Sequence, residues 1–223
     1  MLIDASGPIY EGMWSYGAPF KKFKLKELKK PDWVEFKAYA QEFEGFDIST
    51  GSYINGPAHA LGIKKSCPMH EINIEKLFDI DAYVLKFDIS KLQRDGDRPY
   101  ISLDDLYQTK FLKIPDNAAI IIATGWGEHW QKNDFLTHNW FLRRGAAEEL
   151  IKKRPFLLAV DTPALDNFDN QQGLWDLIYG NGVLVVTPLI NLEKLENFKV
   201  KLFVCPLNIS NTAGLPCRVI IKQ

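Results

Sequence analysis

The stretch Phe156-Leu157-Leu158-Ala159-Val160-Asp161 is followed by Gln171 to Tyr179 and then by Val183-Leu184-Val185-Val186-Thr187. The two outer runs are short, apolar and bounded by polar or turn residues, so they read as buried strands. Between them, the segment from Gln171 to Tyr179 reads as a helix ending at Gly180 or Gly182. Strand, helix and strand in that order require a parallel pairing, which makes the fold mixed α and β. Ligand sites in such sheets gather beyond the carboxyl ends of strands, here Asp161 and Thr187.

Working outward, further β-rich runs lie at Trp33–Tyr39, Ala82–Asp88, Ala118–Thr124, Val200–Val204 and Arg218–Ile221. Phe141 to Lys153 carries helical periodicity, with Leu142, Ala146, Leu150 and Ile151 as its stripe and basic residues in its last turn. Ser102 to Gln108 predicts a short helix, with Ser102 as N-cap and Asp105 three residues on as a capping-box variant. The charge run from Lys21 to Lys30 reads as an extended edge strand whose lysines face water and discourage pairing with a second chain.

No repeat or linker divides the 223 residues, so one domain over 1–223 is expected. Twenty-seven basic side chains against 28 acidic ones give no preference for nucleic acid. The longest apolar run, Ala118 to Ala123, is far short of the roughly 18 residues of a membrane span, and no membrane partner is expected. The first residues, Met1 to Pro8, show neither a basic n-region nor an apolar stretch, so cytoplasmic residence is the expectation. Cys67, Cys205 and Cys217 show no Cys-x-x-Cys spacing and are expected as reduced, buried or half-buried thiols.

The segment Asp47-Ile48-Ser49-Thr50-Gly51-Ser52-Tyr53-Ile54-Asn55-Gly56-Pro57-Ala58-His59 resembles the His-x-Gly-Thr-His-x-Asp-x-Pro-x-His signature of the cyclase family that includes bacterial kynurenine formamidase. Gly51, Pro57 and His59 match, and Ser52 stands for threonine. The similarity continues through Ile3 to Met13, Thr124-Gly125-Trp126, Ala146 to Leu150, Val160-Asp161-Thr162-Pro163, Leu189 to Leu192 and Cys205-Pro206-Leu207. It implies a swivelling β/β/α domain, a mixed sheet with flanking helices, and a homo-oligomer, a dimer or larger.

Members of that family typically hold one or two divalent metals, commonly zinc, through two histidines and an aspartate of the signature plus a later histidine and glutamate. By alignment to the resemblance, Ser49, Tyr53, Asn55, Trp175 and Thr187 stand at those positions. If the run stays extended, alternation places Ser49, Tyr53, Asn55 and His59 on one face. A hydroxyl, a phenol, an amide and one imidazole include no anion at neutral pH, whereas zinc asks for thiolate, imidazole or carboxylate. No metal and no cofactor are therefore expected at that place.

His59 is the remaining candidate for proton transfer. Tyr53 is placed beside it as a catalytic partner, and Ser49, Ser52, Asn55, Thr187, Trp175, Trp14 and Trp126 are candidate substrate-binding residues. Trp175 has two readings, filling of the vacated space or stacking on a flat ligand. Asp161, Asp166 and Asp169 are the carboxylates that a relocated metal would use, although loop aspartates commonly form caps and Asx turns. His70, His129 and His138 read as loop histidines.

Three functions remain open. The first is a metal-independent enzyme acting on a small carbonyl-containing or cyclic substrate by cyclisation, ring opening, elimination or isomerisation, with His59 as general acid or base. The second is a non-catalytic ligand-binding relative. The third is a formamidase-like amide hydrolase with a relocated metal.

Overall fold

A computed structural model describes residues 1–223. In chain order the strands are β1 (Leu2–Asp4), β2 (Lys24–Leu28), β3 (Ala40–Glu44), β4 (Tyr53–Asn55), β5 (Ile80–Lys86), β6 (Arg94–Asp95), β7 (Arg98–Ile101), β8 (Ala119–Ala123), β9 (Phe141–Leu142), β10 (Leu157–Val160), β11 (Leu184–Thr187), β12 (Lys199–Pro206) and β13 (Gly214–Lys222). The α-helices are α1 (Ala58–Leu61), α2 (Leu103–Tyr107), α3 (Arg144–Lys152) and α4 (Leu174–Gly180). None is long and apolar enough to cross a membrane.

The main sheet runs β1-β13-β12-β5-β8-β10-β11-β4, and β4 also pairs with β13. That extra pairing closes seven strands into a barrel and leaves β1 outside, against β13. β5, β8, β10 and β11 are mutually parallel, as the strand–helix–strand reading requires. The closed part accounts for the continuous apolar runs, since both faces of these strands are covered.

Alternation divides the residues between two cores. Ala82, Ala119, Ile121, Ala159 and Val186 fall in the cluster within the barrel. Ile120, Ile122, Leu158, Val160 and Val185 instead join Leu106 of α2, Ala146 and Leu150 of α3, and Ile178 of α4 on its outer surface. Alanine at several interior positions narrows the side chains where seven short strands converge.

The helix after Ser102 is present with both halves of its capping box, the Ser102 hydroxyl accepting from Asp105 N–H and the Asp105 carboxylate accepting from Ser102 N–H. Two expectations are corrected. The helix predicted from Phe141 begins only at Arg144, because Phe141 and Leu142 pair in parallel with Tyr100 and Ile101. Trp33–Tyr39 forms no strand; the partner of the lysine-rich β2 is β3, and Trp33 remains 82% exposed. Aromatic β-propensity without a surface to cover it does not make a strand. All three cysteines are free, but Cys67 and Cys205 are exposed rather than buried.

Candidate functional site

Asp47 to His59 does not stay extended. Ser49 to Ser52 turn, only Tyr53 to Asn55 form a strand, and Pro57 leads into α1. Gly51 makes the turn at φ +74°, and a Cβ there would lie 2.6 Å from the Ile9 side chain. Turn, strand and helix nonetheless bring Ser49, Tyr53, Asn55 and His59 to one cavity of about 530 Å³. The cause is tertiary folding, not simple alternation.

Tyr53 faces Thr187 across the β4–β11 pair, and Pro163 lies just beyond the end of β10. The cavity thus sits past the carboxyl ends of the parallel strands. Trp175 of α4 forms another wall and stacks on Tyr179 with centroids 5.7 Å apart. The wall also includes Tyr16, Phe20, Leu136, Thr137, Pro163 and Phe168, which sequence reasoning missed. Trp14 and the Val160-Asp161-Thr162-Pro163 run stand out in the sequence, but nothing in their spacing tells which neighbouring side chains point inward.

His59 stands at the open side of the cavity, edge-on to Tyr179 at 5.7 Å and Trp175 at 6.4 Å. The surrounding protein holds its pKa below the ordinary imidazole value, because partial burial disfavours the cation. Its ring makes no hydrogen bond or ion pair within the chain. Tyr53 is 4% exposed, and its hydroxyl lies 2.7 Å from that of Tyr16, which in turn donates to the Pro163 carbonyl at 2.9 Å. Burial pushes both phenols upward, so both carry their protons at neutral pH.

Four of the expected binding residues lie outside this cavity. The Ser52 hydroxyl accepts from Gly7 N–H at 2.9 Å and donates to the Pro188 carbonyl at 2.6 Å. Thr187 donates to the Thr162 carbonyl at 2.5 Å. Trp126 donates to the Phe135 carbonyl at 3.1 Å and stacks on His129. Trp14 packs against Trp130, Phe135 and Tyr16 behind the wall. Their polar atoms or rings serve the framework, so they are removed from the set that faces the cavity.

Behind the site, the buried Asp161 carboxylate accepts from Thr124 N–H, Gly125 N–H, the Thr124 hydroxyl and the Trp140 indole at 2.8 to 2.9 Å. Burial raises its pKa to about 6 despite those bonds. Asp166 caps the loop before α4 by accepting from Asn167, Gln172 and Leu174 N–H groups. Arg98 braces the same loop through Asn167 Oδ1 at 3.0 Å and lies over the Phe168 ring. His138 is a loop residue near Asp97, whereas His129 ends a short 3-10 helix beside Asp134, and His70 sits in another and accepts from Asn211 N–H.

The family's divalent metal does not fit these residues. Ser49, Tyr53, Asn55 and Trp175 offer no anionic or imidazole donor, and the Thr187 hydroxyl is committed to Thr162. Asp161 and Asp166 spend their oxygens on N–H and O–H donors, and no group of three or more His, Cys, Asp or Glu side chains is arranged to hold an ion. Other clefts of about 590 and 550 Å³ have paired or structural polar groups, including the Asp4–Arg218 pair and a Lys86 ammonium on two carbonyls.

Gly214 is opposite Asn55, and a Cβ at that glycine would lie 1.9 Å from Asn55 Oδ1. Gly214→Ala is therefore expected to rotate Asn55 out of place and cost about 1–3 kcal/mol. Chemical denaturation should show the loss. An unchanged midpoint would mean that the strand pair yields without strain.

No curated protein sequence matches the chain. Among solved structures, it is similar to a predicted metal-dependent hydrolase from Bacillus stearothermophilus, with 21% identity, TM-score 0.76 and coverage of 99% of this chain and 97% of that one. It is also similar to isatin hydrolase A from Ralstonia solanacearum, with 19% identity, TM-score 0.82 and coverage of 99% and 91%. Isatin hydrolase A from Labrenzia aggregata shows 18% identity, TM-score 0.83 and coverage of 99% and 93%. At such identities these likenesses establish the fold. The family model described as "Putative cyclase" matches residues 3–167, and the chain belongs to the cyclase family.

Proposed function

We propose that this chain is a metal-independent enzyme that acts on a small carbonyl-containing or cyclic substrate, on the swivelling β/β/α scaffold implied by its family, with His59 moving the proton. The observation carrying this reading is the convergence of Ser49, Tyr53, Asn55, His59 and Trp175 on one cavity that has no charged wall residue. Its volume of about 530 Å³ suits a small organic molecule.

His59 has no protein partner and a lowered pKa, so it is neutral and able to accept a proton at pH 7. Asn55 and Ser49 are the side chains placed to donate to a carbonyl or a developing oxyanion. Thr187 and Ser52 are withdrawn from that role by their framework bonds. Cyclisation, ring opening, elimination and isomerisation each need a proton moved and an oxyanion held. Hydrolysis of an ester or amide, ring opening by water included, additionally needs an activated water, and with no metal-binding set in the wall His59 is the group placed to activate it.

Turnover of a panel of lactones, lactams and cyclic diketones tests the reading, with the protein stripped by chelator and then supplied with zinc. Activity is expected to be the same in both states; dependence on added zinc would refute it. The pH profile is a second check. The basic form of His59 is the active one, so the rising limb of kcat/KM should have its midpoint below 6.5, with a plateau through pH 7. A midpoint above 7 would contradict an unpaired, partly buried imidazole as base.

A further inference from the structure

The hydrogen atoms of the two facing phenols can be assigned. The Pro163 carbonyl can only accept, so Tyr16, 2.9 Å away, gives it its single hydroxyl hydrogen. Tyr16 then has none left for Tyr53, and the 2.7 Å contact between the two hydroxyls is a bond that Tyr53 donates. Both phenols keep their protons at neutral pH, so this order persists there. Tyr53, one of the residues lining the cavity, therefore keeps a lone pair and has no hydrogen to offer a ligand there.

Asn55 does not compete for that role: it is 2% exposed, and its Oδ1 is buried against Gly214 of the neighbouring strand, out of a ligand's reach. No lysine or arginine lines the cavity to receive a carboxylate, while five aromatic rings do line it. We infer that the cavity selects flat, uncharged ligands that donate an N–H or O–H hydrogen to Tyr53 and discriminates against isosteres that only accept. This inference deepens the proposed function and rests on its placement of the ligand.

The relay also states where the preference is stored. Tyr16 is a positioning residue: it holds the Tyr53 hydrogen away from the ligand without needing to touch the ligand itself. Loss of the Tyr16 hydroxyl frees that hydrogen, and Tyr53 becomes a donor.

Indole and benzofuran are suitable probes, having nearly the same shape but differing in one N–H. Each is titrated into the full chain by NMR, with the His59 ring resonance reporting the site. On the unmodified protein, indole should bind at least about tenfold more tightly, since a site built to pair a donor rejects the analogue that lacks it. Tyr16→Phe should bring the ratio to near one or invert it, and Tyr53→Phe should bring it to near one. Binding of both probes within threefold by the unmodified protein overturns the donor preference while leaving the ligand site in place, as does an unchanged ratio in Tyr16→Phe. Failure of both probes to shift His59 saturably overturns the ligand site and this inference together. The first comparison needs no variant and is independent of any folding defect.

Discussion

Replacement of His59 by alanine is expected to lower turnover of any substrate found for this cavity by about 10²–10⁴-fold, the usual range for a positioned proton-transfer group. The imidazole has no carboxylate partner and supports no other side chain through a hydrogen bond, so its removal takes away chemistry rather than framework. Exposed at the cavity mouth, it should also leave the folded state within about 0.5 kcal/mol of its starting stability. Steady-state kinetics and thermal unfolding on the same preparation separate the two effects. Turnover surviving within threefold would end the case for His59 as acid or base and favour a reading in which the cavity only binds.

The largest stability effect should follow Asp161→Ala. This change removes the acceptor of two backbone N–H groups, the Thr124 hydroxyl and the Trp140 indole, all of them buried except the half-buried Gly125 N–H. Stranding buried donors costs about 1–3 kcal/mol each before relaxation, and a net loss of about 3–5 kcal/mol is expected after partial collapse. For a chain of this size that corresponds to a fall in Tm of roughly 6–20 °C. A shift under 2 °C would mean that water replaces the carboxylate without cost.

The same residue sets a pH dependence whose sign is fixed by its raised pKa. In the folded chain Asp161 titrates near 6, against an ordinary 3.8. Between those values the folded state binds more protons than the unfolded one. Its contribution is complete below the unfolded value and is lost as pH rises through about 6, by roughly 3 kcal/mol. The alanine variant should lack this component of the slope.

Asp161 also shows how framework and site are joined. It fixes the carboxyl end of β10; two residues on, the Pro163 carbonyl anchors Tyr16 and through it Tyr53. Thr162, between them, donates to the Trp140 carbonyl and accepts from Thr187. A cavity whose polar order depends on one carbonyl gains precision from a rigid strand end.

Local pattern was enough for the parallel strand–helix–strand unit and the capping box at Ser102 and Asp105. Each of these depends on residue type and short spacing, which the chain carries along its length. Closure of the barrel by β4 on β13 joins residues about 160 positions apart and left no local trace. Only the tertiary structure decided that Trp14, Trp126, Ser52 and Thr187 serve the framework while Tyr16, Pro163 and Phe168 face the cavity. Side-chain direction at strand ends and in loops follows from long-range packing and hydrogen bonding, and those partners lie far away in sequence.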